Sequence, residues 1–166
     1  MKRRPVQQTE IEAYVKRCQT GPCFICEIVD GDPDEAHHIV YEDDSAIVFL
    51  NRYPTLYGYT LVAPREHREQ VTGDFCIEEY LVLQQLIYRV AEAVRQEVNA
   101  ERVYILSLGS QQGNRHVHWH IAPLPPGVPY VKQQTEALRL ERGILELSAE
   151  EMMDLAHRIR YRMEKN

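Results

Sequence analysis

The sequence predicts an α+β fold: a largely antiparallel five-stranded sheet, one long helix and extra helices at the two ends. Three observations carry that reading. Five short segments are rich in β-branched and aromatic residues and are bounded by turn formers. Residues 77–100, IEEYLVLQQLIYRVAEAVRQEVNA, repeat apolar side chains at helical spacing. The order runs strands, helix, strands, helix, which favours antiparallel neighbours over the parallel sheet of alternating units.

Taken along the chain, PVQQTEIEAYVKRC forms an N-terminal helix. TGPCFICEIVDGDPDEA reads as a turn-rich loop around a Cys-x-x-Cys. HIVYEDD and AIVFLN are strands joined by the acidic turn Asp43-Asp44-Ser45, and YGYTLVAP is a third strand that ends at Pro64. In the long helix, Leu81, Ile87, Val90, Ala91 and Val94 fall near one face. RVYILSLG and RHVHWHIAP supply the fourth and fifth strands, and LPPGVP is a proline-rich turn. The tail SAEEMMDLAHRIRYRMEKN opens with Ser148 and Glu151 in capping-box spacing, so it reads as a closing helix.

Composition narrows the function. With 166 residues, 44% apolar and 27% charged, the chain suits one soluble domain spanning residues 1–166. No run of roughly 18 apolar residues exists, so no membrane span is expected. MKRRPVQQTE turns polar at once, unlike a secretory signal, and a cytoplasmic location is expected. A net charge of −6 argues against a general nucleic-acid binder but not against a small anionic ligand held by a few donors. Four cysteines, Cys18, Cys23, Cys26 and Cys76, in a chain without an export signal point to metal or redox work rather than disulfides.

The sharpest local feature is His116, His118 and His120 at two-residue spacing. On a helix they would diverge; on a strand they share one face. Val117, Trp119 and Ile121 favour the strand and would bury on its other side. Three uses compete: a half-exposed strand with histidine as filler, a metal site built from all three imidazoles, and nucleophilic attack by a neutral ring on phosphorus. Three aligned imidazoles are unusual for a merely solvated face, but they do not by themselves separate the last two.

The pattern HVHWHIA resembles the signature of the histidine triad superfamily of nucleotide hydrolases and transferases. CFICEIVDG, VYEDDSAIVFLNRYPTLYGYTLVAPREH and the helix after them follow the family's order, and FLNRYPTLYGYTLVAP resembles the fragile-histidine-triad and dinucleoside-polyphosphate branches. The resemblance runs from about Cys23 to about Pro123, leaving the tail after Pro129 outside it. It implies the histidine triad fold, with His118 as nucleophile on the α-phosphorus of a nucleotide. His120 would bond the phosphate or leaving group, and Asn51 the ribose hydroxyls. Phe49 and Leu50 are candidates to wall the base. In SLGSQQGNRH, Gln112 stands where the family has a glutamine. Gly113 replaces the usual hydroxyl residue, so Asn114 is the candidate substitute. Asn51 also reads as a plain turn residue, and a Gly/Gln/Asn turn between strands is common.

Cys23-x-x-Cys26 alone fits a redox pair, a zinc half-site or two buried thiols. Zinc-bearing members resemble this chain there and imply the ligands Cys23, Cys26, His67 of PREH, and His116. Such a zinc would be structural, bracing the strand that carries His118. His37 and His38 are the alternative ligands, read otherwise as exposed strand residues; Cys18, Cys76 and His157 are ordinary residues.

The leading expectation is therefore an enzyme that passes a nucleotidyl group through a histidine, with dinucleoside polyphosphates or nucleoside phosphoramidates as substrates. The alternatives are a nucleotide-binding module with little turnover and a metallohydrolase using all three imidazoles. The resemblance also implies a homodimer through the long helix and part of the sheet. LPPGVPYVKQQ is placed to line the phosphate entrance.

Overall fold

A computed structural model describes residues 1–33, 37–136 and 139–165. The chain opens with a two-residue strand β1 (Arg3–Arg4), then helix α1 (Gln8–Thr20) and a short helix α2 (Phe24–Val29). Strands β2 (Ile39–Glu42), β3 (Ala46–Leu50) and β4 (Thr60–Pro64) lead to the long helix α3 (Ile77–Glu97). Strands β5 (Arg102–Ser107) and β6 (Trp119–Leu124) follow, then α4 (Tyr130–Glu136), a two-residue strand β7 (Ile144–Leu145) and α5 (Ala149–Lys165).

The five long strands form one sheet in the order β2-β3-β4-β6-β5, every pairing antiparallel. Asp43 makes the first hairpin: its Oδ1 accepts from the N–H groups of Ser45 and Ala46 at 2.8 and 2.9 Å and from the Ser45 hydroxyl at 2.7 Å. Strand β3 is buried along its whole length, as expected of a strand covered on both faces. One face carries Val48, Leu50, Val62, Val117, Trp119 and Ile121 against α3 and α5. The other carries Ile47, Phe49, Leu61 and Ala63 against α2.

The prediction of five antiparallel strands, a long helix and terminal helices holds, with local differences. Residues 24–29 are helical where a loop was expected, because Phe24, Ile25 and Ile28 give a single turn an apolar side to bury. Residues 34–36 of that expected loop lie outside the described residues. Strand β4 begins at Thr60 rather than Tyr57, since Gly58 turns at φ +85°. A Cβ there would meet Val98 Cγ1 at 2.7 Å, so only glycine fits both the turn and the space. Leu81 is exposed; Leu83 and Leu86 join Ile87, Val90, Ala91 and Val94 on the buried face of α3. The capping box of α5 forms as read, with Glu151 N–H donating to Ser148 Oγ and Ser148 N–H to Glu151 Oε2.

The β1–β7 ladder was not foreseen. Arg3 pairs with Leu145 and Arg4 with Ile144, and the Arg3 guanidinium donates to the Gly143 carbonyl at 3.1 Å. This brings the N-terminal arm onto the segment that follows α4.

Candidate active site and metal cluster

The three histidines do not all lie in the paired strand. Only His120 falls within β6; His116 and His118 precede it in extended backbone. The ladder cannot begin earlier, because β5 ends at Ser107 and β4 reaches β6 only from Trp119 onward. Val117 N–H instead donates to the Arg68 carbonyl at 2.7 Å. The alternation survives: Val117, Trp119 and Ile121 enter the core, and the imidazoles take the opposite side.

Each ring has a different partner at one nitrogen, and those partners assign the tautomers. His116 Nε2 lies 2.9 Å from the Pro64 carbonyl, an acceptor, so that nitrogen carries the proton and Nδ1 offers a lone pair. His118 Nδ1 lies 2.7 Å from the His116 carbonyl, so the proton sits on Nδ1 and the lone pair on Nε2. Ser107 Oγ donates to the His118 carbonyl at 2.8 Å, fixing the backbone beneath that ring. His120 Nδ1 lies 3.0 Å from the hydroxyl of Tyr59, and its Nε2 is buried without a protein partner. Burial lowers all three pKa values, to about 4 for His116 and about 3 for His120, so the rings are neutral near pH 7. Burial also pushes the Tyr59 phenol up to about 12, so it keeps its proton.

His118 and His120 line a cavity of about 660 Å³, the size of a small-molecule site. Phe24 stands edge-on to His118 with centroids 5.8 Å apart. Phe49 and Asn51 add to the wall, and Ile11, Tyr14, Leu140 and Ile144 line it as well. Helix α1 has no buried residue of its own. It is tied down at its edges, by Arg17 to Glu27 at 2.7 Å and by Asn114 Nδ2 donating to the Tyr14 hydroxyl at 3.0 Å.

The expected binding residues divide. Asn51 lines the cavity, and its Oδ1 also accepts from Tyr53 N–H at 2.8 Å, so it is turn former and wall at once. Asn114 lines the cavity from a left-handed backbone, φ +52°. Gly109 makes room for it: a Cβ on Gly109 would sit 2.4 Å from the Asn114 carbonyl oxygen. Gln112 is exposed at the tip of a Ser110–Gly113 turn and is not part of the cavity wall. Phe49 walls the cavity as expected, whereas Leu50 points to the other face of the sheet, one residue out of phase. The segment 124–134 is not in the wall either; Leu140 and Ile144 take that place.

The metal cluster closes beside the triad. One ligand atom each from Cys23, Cys26, His67 and His116 lies within 4.8 Å of the others. Cys23 Sγ to His116 Nδ1 is 3.3 Å, Cys26 Sγ to His67 Nδ1 3.3 Å and Cys26 Sγ to His116 Nδ1 3.6 Å. A zinc tetrahedron with ordinary Zn–S and Zn–N bonds has edges of roughly 3.3–3.8 Å. Both ring nitrogens turned away from the cluster are held, His116 by Pro64 and His67 by Glu69 Oε1 at 3.2 Å, the outer support that metal-binding imidazoles need. Burial, then the neighbouring Cys23, pushes the Cys26 thiol to about 12, so a cation at the cluster is what would make it a thiolate. The donor set suits zinc, and these three separations match its edges while the set as a whole spreads to 4.8 Å.

His37 and His38 stand apart from this set. Both are half-buried rather than exposed; His37 lies edge-on to Phe49 with centroids 5.2 Å apart and lines the cavity. Of the three triad rings, His116 alone joins the cysteines. Cys76 caps α3, accepting from Glu79 N–H at 3.4 Å, Cys18 lines the cavity, and His157 is on the surface of α5. Sequence reasoning missed Tyr59, Phe24, Ile11 and Tyr14 as site residues. The alternation of Tyr59, just before β4, with Leu61 and Ala63 of β4 was the available signal for the first.

The HIT-domain family model matches residues 33–126, more than half of the chain. The chain belongs to the histidine triad family. Similar members include an uncharacterised HIT-like protein of Saccharolobus solfataricus, 33% identical over 107 residues covering 61% of this chain and 73% of that protein. The protein Hit of Bacillus subtilis is 31% identical over 106 residues, 61% of this chain and 70% of that one. Among solved structures, a hypothetical histidine triad nucleotide-binding protein from Sulfolobus tokodaii superposes with a TM-score of 0.69 at 25% identity, over 86% of this chain and 93% of that one. A zinc-bound histidine triad protein from Mycobacterium smegmatis shares the fold at a TM-score of 0.66 and 22% identity, over 87% and 94% of the two chains. Family membership supports a nucleotide-binding or hydrolase-type function in general. Among the described residues no helix is long and apolar enough to cross a membrane.

Proposed function

We propose that the protein is a nucleotidyl hydrolase or transferase that works through a covalent nucleotidyl-histidine. The observation that carries the reading is the 2.7 Å bond between His118 Nδ1 and the His116 carbonyl. It leaves the Nε2 lone pair as nucleophile and gives the cation that forms on attack a fixed acceptor for its N–H. Nε2 bonds to the α-phosphorus while the bond to the leaving group breaks with its electron pair. Water or another acceptor then attacks phosphorus, the N–P bond breaks, and neutral His118 returns. His120 Nε2 and Asn114 bond the phosphate and leaving group, and Asn51 the ribose. Dinucleoside polyphosphates or nucleoside phosphoramidates are the substrates. Incubation with a panel of both should release a mononucleotide, and His118→Ala should lower the rate by about a thousandfold or more. Nucleotide binding without turnover across the panel would make the protein a binding module instead.

The cluster is proposed as a structural zinc site of Cys23, Cys26, His67 and His116. Bound there, zinc would fix the His116 backbone whose carbonyl holds His118, so the metal braces the nucleophile without touching substrate. The metallohydrolase alternative needs all three imidazoles on one ion. It is supported by one ring of three at the cluster, and metal stripping that stopped turnover without loss of stability would revive it.

The whole chain is read as one domain, 1–166, with its core at about 23–123. A homodimer is proposed through α3 and the free edge of β5, where Ile77, Leu81, Tyr88 and Ile105 are exposed. Sedimentation should give twice the chain mass, and Ile105→Lys should shift it toward monomer. Cytoplasmic residence is the location this reading expects.

A further inference from the structure

Tyr59 is a buried phenol that the proposed chemistry does not use, and its hydroxyl touches His120, whose Nε2 is buried without a protein partner among the described residues. It precedes β4, and its ring packs with Leu56, Tyr104 and Ala122. Its carbonyl accepts Asn51 N–H at 2.8 Å, so the backbone that sets Asn51 and the side chain that meets His120 belong to one residue.

A phenol beside a neutral imidazole admits two arrangements. If His120 Nδ1–H donated to the phenol oxygen, the phenol hydrogen would need another acceptor, and His120 is the partner found for that hydroxyl among the described residues. If the phenol donates to Nδ1, its hydrogen is satisfied and the ring proton moves to Nε2. We propose that Tyr59 acts as a positioning residue, donating to His120 Nδ1 and so presenting Nε2–H to the cavity as a fixed donor for an anionic phosphoryl oxygen. This rests on the nucleotidyl-transfer reading for what the donor meets, but not for the tautomer itself.

The pairing explains how two neighbouring imidazoles, one at the start of β6 and one just before it, do opposite work. His118 faces an acceptor-only carbonyl and shows the cavity a lone pair; His120 faces a phenol and shows it a proton. Their centroids are 4.8 Å apart, so both reach one phosphoryl group. Two lone pairs would repel the oxygens of that group, and two N–H donors would leave no nucleophile. The pair therefore suits a ligand with an electrophilic centre and an acceptor oxygen side by side, as the phosphate esters and anhydrides of the proposed function have.

The test is the nitrogen NMR spectrum of the ligand-free, metal-loaded protein labelled at histidine, taken near pH 7. The His120 signals should show a protonated Nε2 and an accepting Nδ1, and His118 the reverse. A His120 protonated at Nδ1 would overturn the proposal without any variant. In Tyr59→Phe, which removes one oxygen from a packed ring, the His120 signals should move toward a mixture of tautomers while those of His118 stay. Turnover of a substrate cleaved by the parent should then lose about tenfold in kcat with a smaller change in KM, as expected when one oriented hydrogen bond is lost. Unchanged His120 signals and unchanged kcat would reject the role. If the parent cleaves no nucleotide, the nucleotidyl-transfer reading fails while the tautomer measurement still decides the role of Tyr59.

Discussion

The two faces of the sheet are built from the same strands and solve opposite problems. On one, Leu86, Val90 and Val94 of α3 and Leu155 and Ile159 of α5 interlock with Val48, Val62 and Trp119, all buried. On the other, α1 brings no buried residue and stands over a cavity of about 660 Å³. The alternation in HVHWHIA assigns one set of side chains to each face. The packed face supplies the rigidity that lets the open face, whose own apolar cluster against α2 is smaller, hold three imidazoles at fixed orientation. The main core and the proposed chemistry are thus separated by the thickness of one strand.

Changes on the two faces should therefore read out differently. The largest effect belongs to His118→Ala, which should remove turnover and leave the unfolding midpoint nearly in place; a thermal melt beside an activity assay checks both. Ile159→Ala on the packed face should do the reverse, costing about 2–5 kcal/mol in denaturant unfolding while the folded fraction keeps its kcat. If Ile159→Ala lowered kcat as much as His118→Ala does, the separation would be wrong. Metal removal sits between the faces: chelation should lower the melting temperature by at least about 5 °C, the size expected when a ligand held well above its Kd is withdrawn, and zinc should restore it.

Acid should act through the open face. His120 is held at about 3 by burial, against 6.5 for an ordinary histidine, so below about pH 6.5 the unfolded chain binds a proton that the folded chain refuses. That contribution to stability is intact above pH 6.5 and shrinks as the pH falls toward 3, measurable as a declining denaturant midpoint; His120→Gln should flatten the decline. The smallest effect is expected from Tyr14→Phe, which removes the bond to Asn114 at an exposed edge and should raise KM by less than about fivefold with kcat unchanged.

Much of this contrast was legible in the sequence, because both faces announce themselves by period. The alternation of Val117, Trp119 and Ile121 with the histidines, and the helical spacing of Ile87, Val90 and Val94, are local properties that survive folding. The positions of Cys23, Cys26, His67 and His116 came from the family pattern, and the structure brings those four together. What stayed hidden depends on distant partners. A two-residue ladder between Arg3–Arg4 and Ile144–Leu145 has no periodicity to detect. The meeting of Tyr59 with His120 follows from the register of β4 on β6, where Leu61 faces His120, and register is decided by the assembled sheet. The exposure of Gln112 was hidden as well, because family position fixes order along the chain, whereas the tight Ser110–Gly113 turn fixes which side chains face inward.

The β1–β7 ladder has a bearing on how such a protein can change over time. His116, His118 and His120 fall inside residues 33–126, the stretch matched by the family model, while Ile11, Tyr14, Leu140 and Ile144 lie before and after it. Two paired residues on each side join those flanking segments, and Arg4 and Ile144 of that ladder line the cavity. Substitutions in those two flanking segments can therefore alter the wall of the cavity while the residues shared with the family stay unchanged, which would be a short route from one ligand to another.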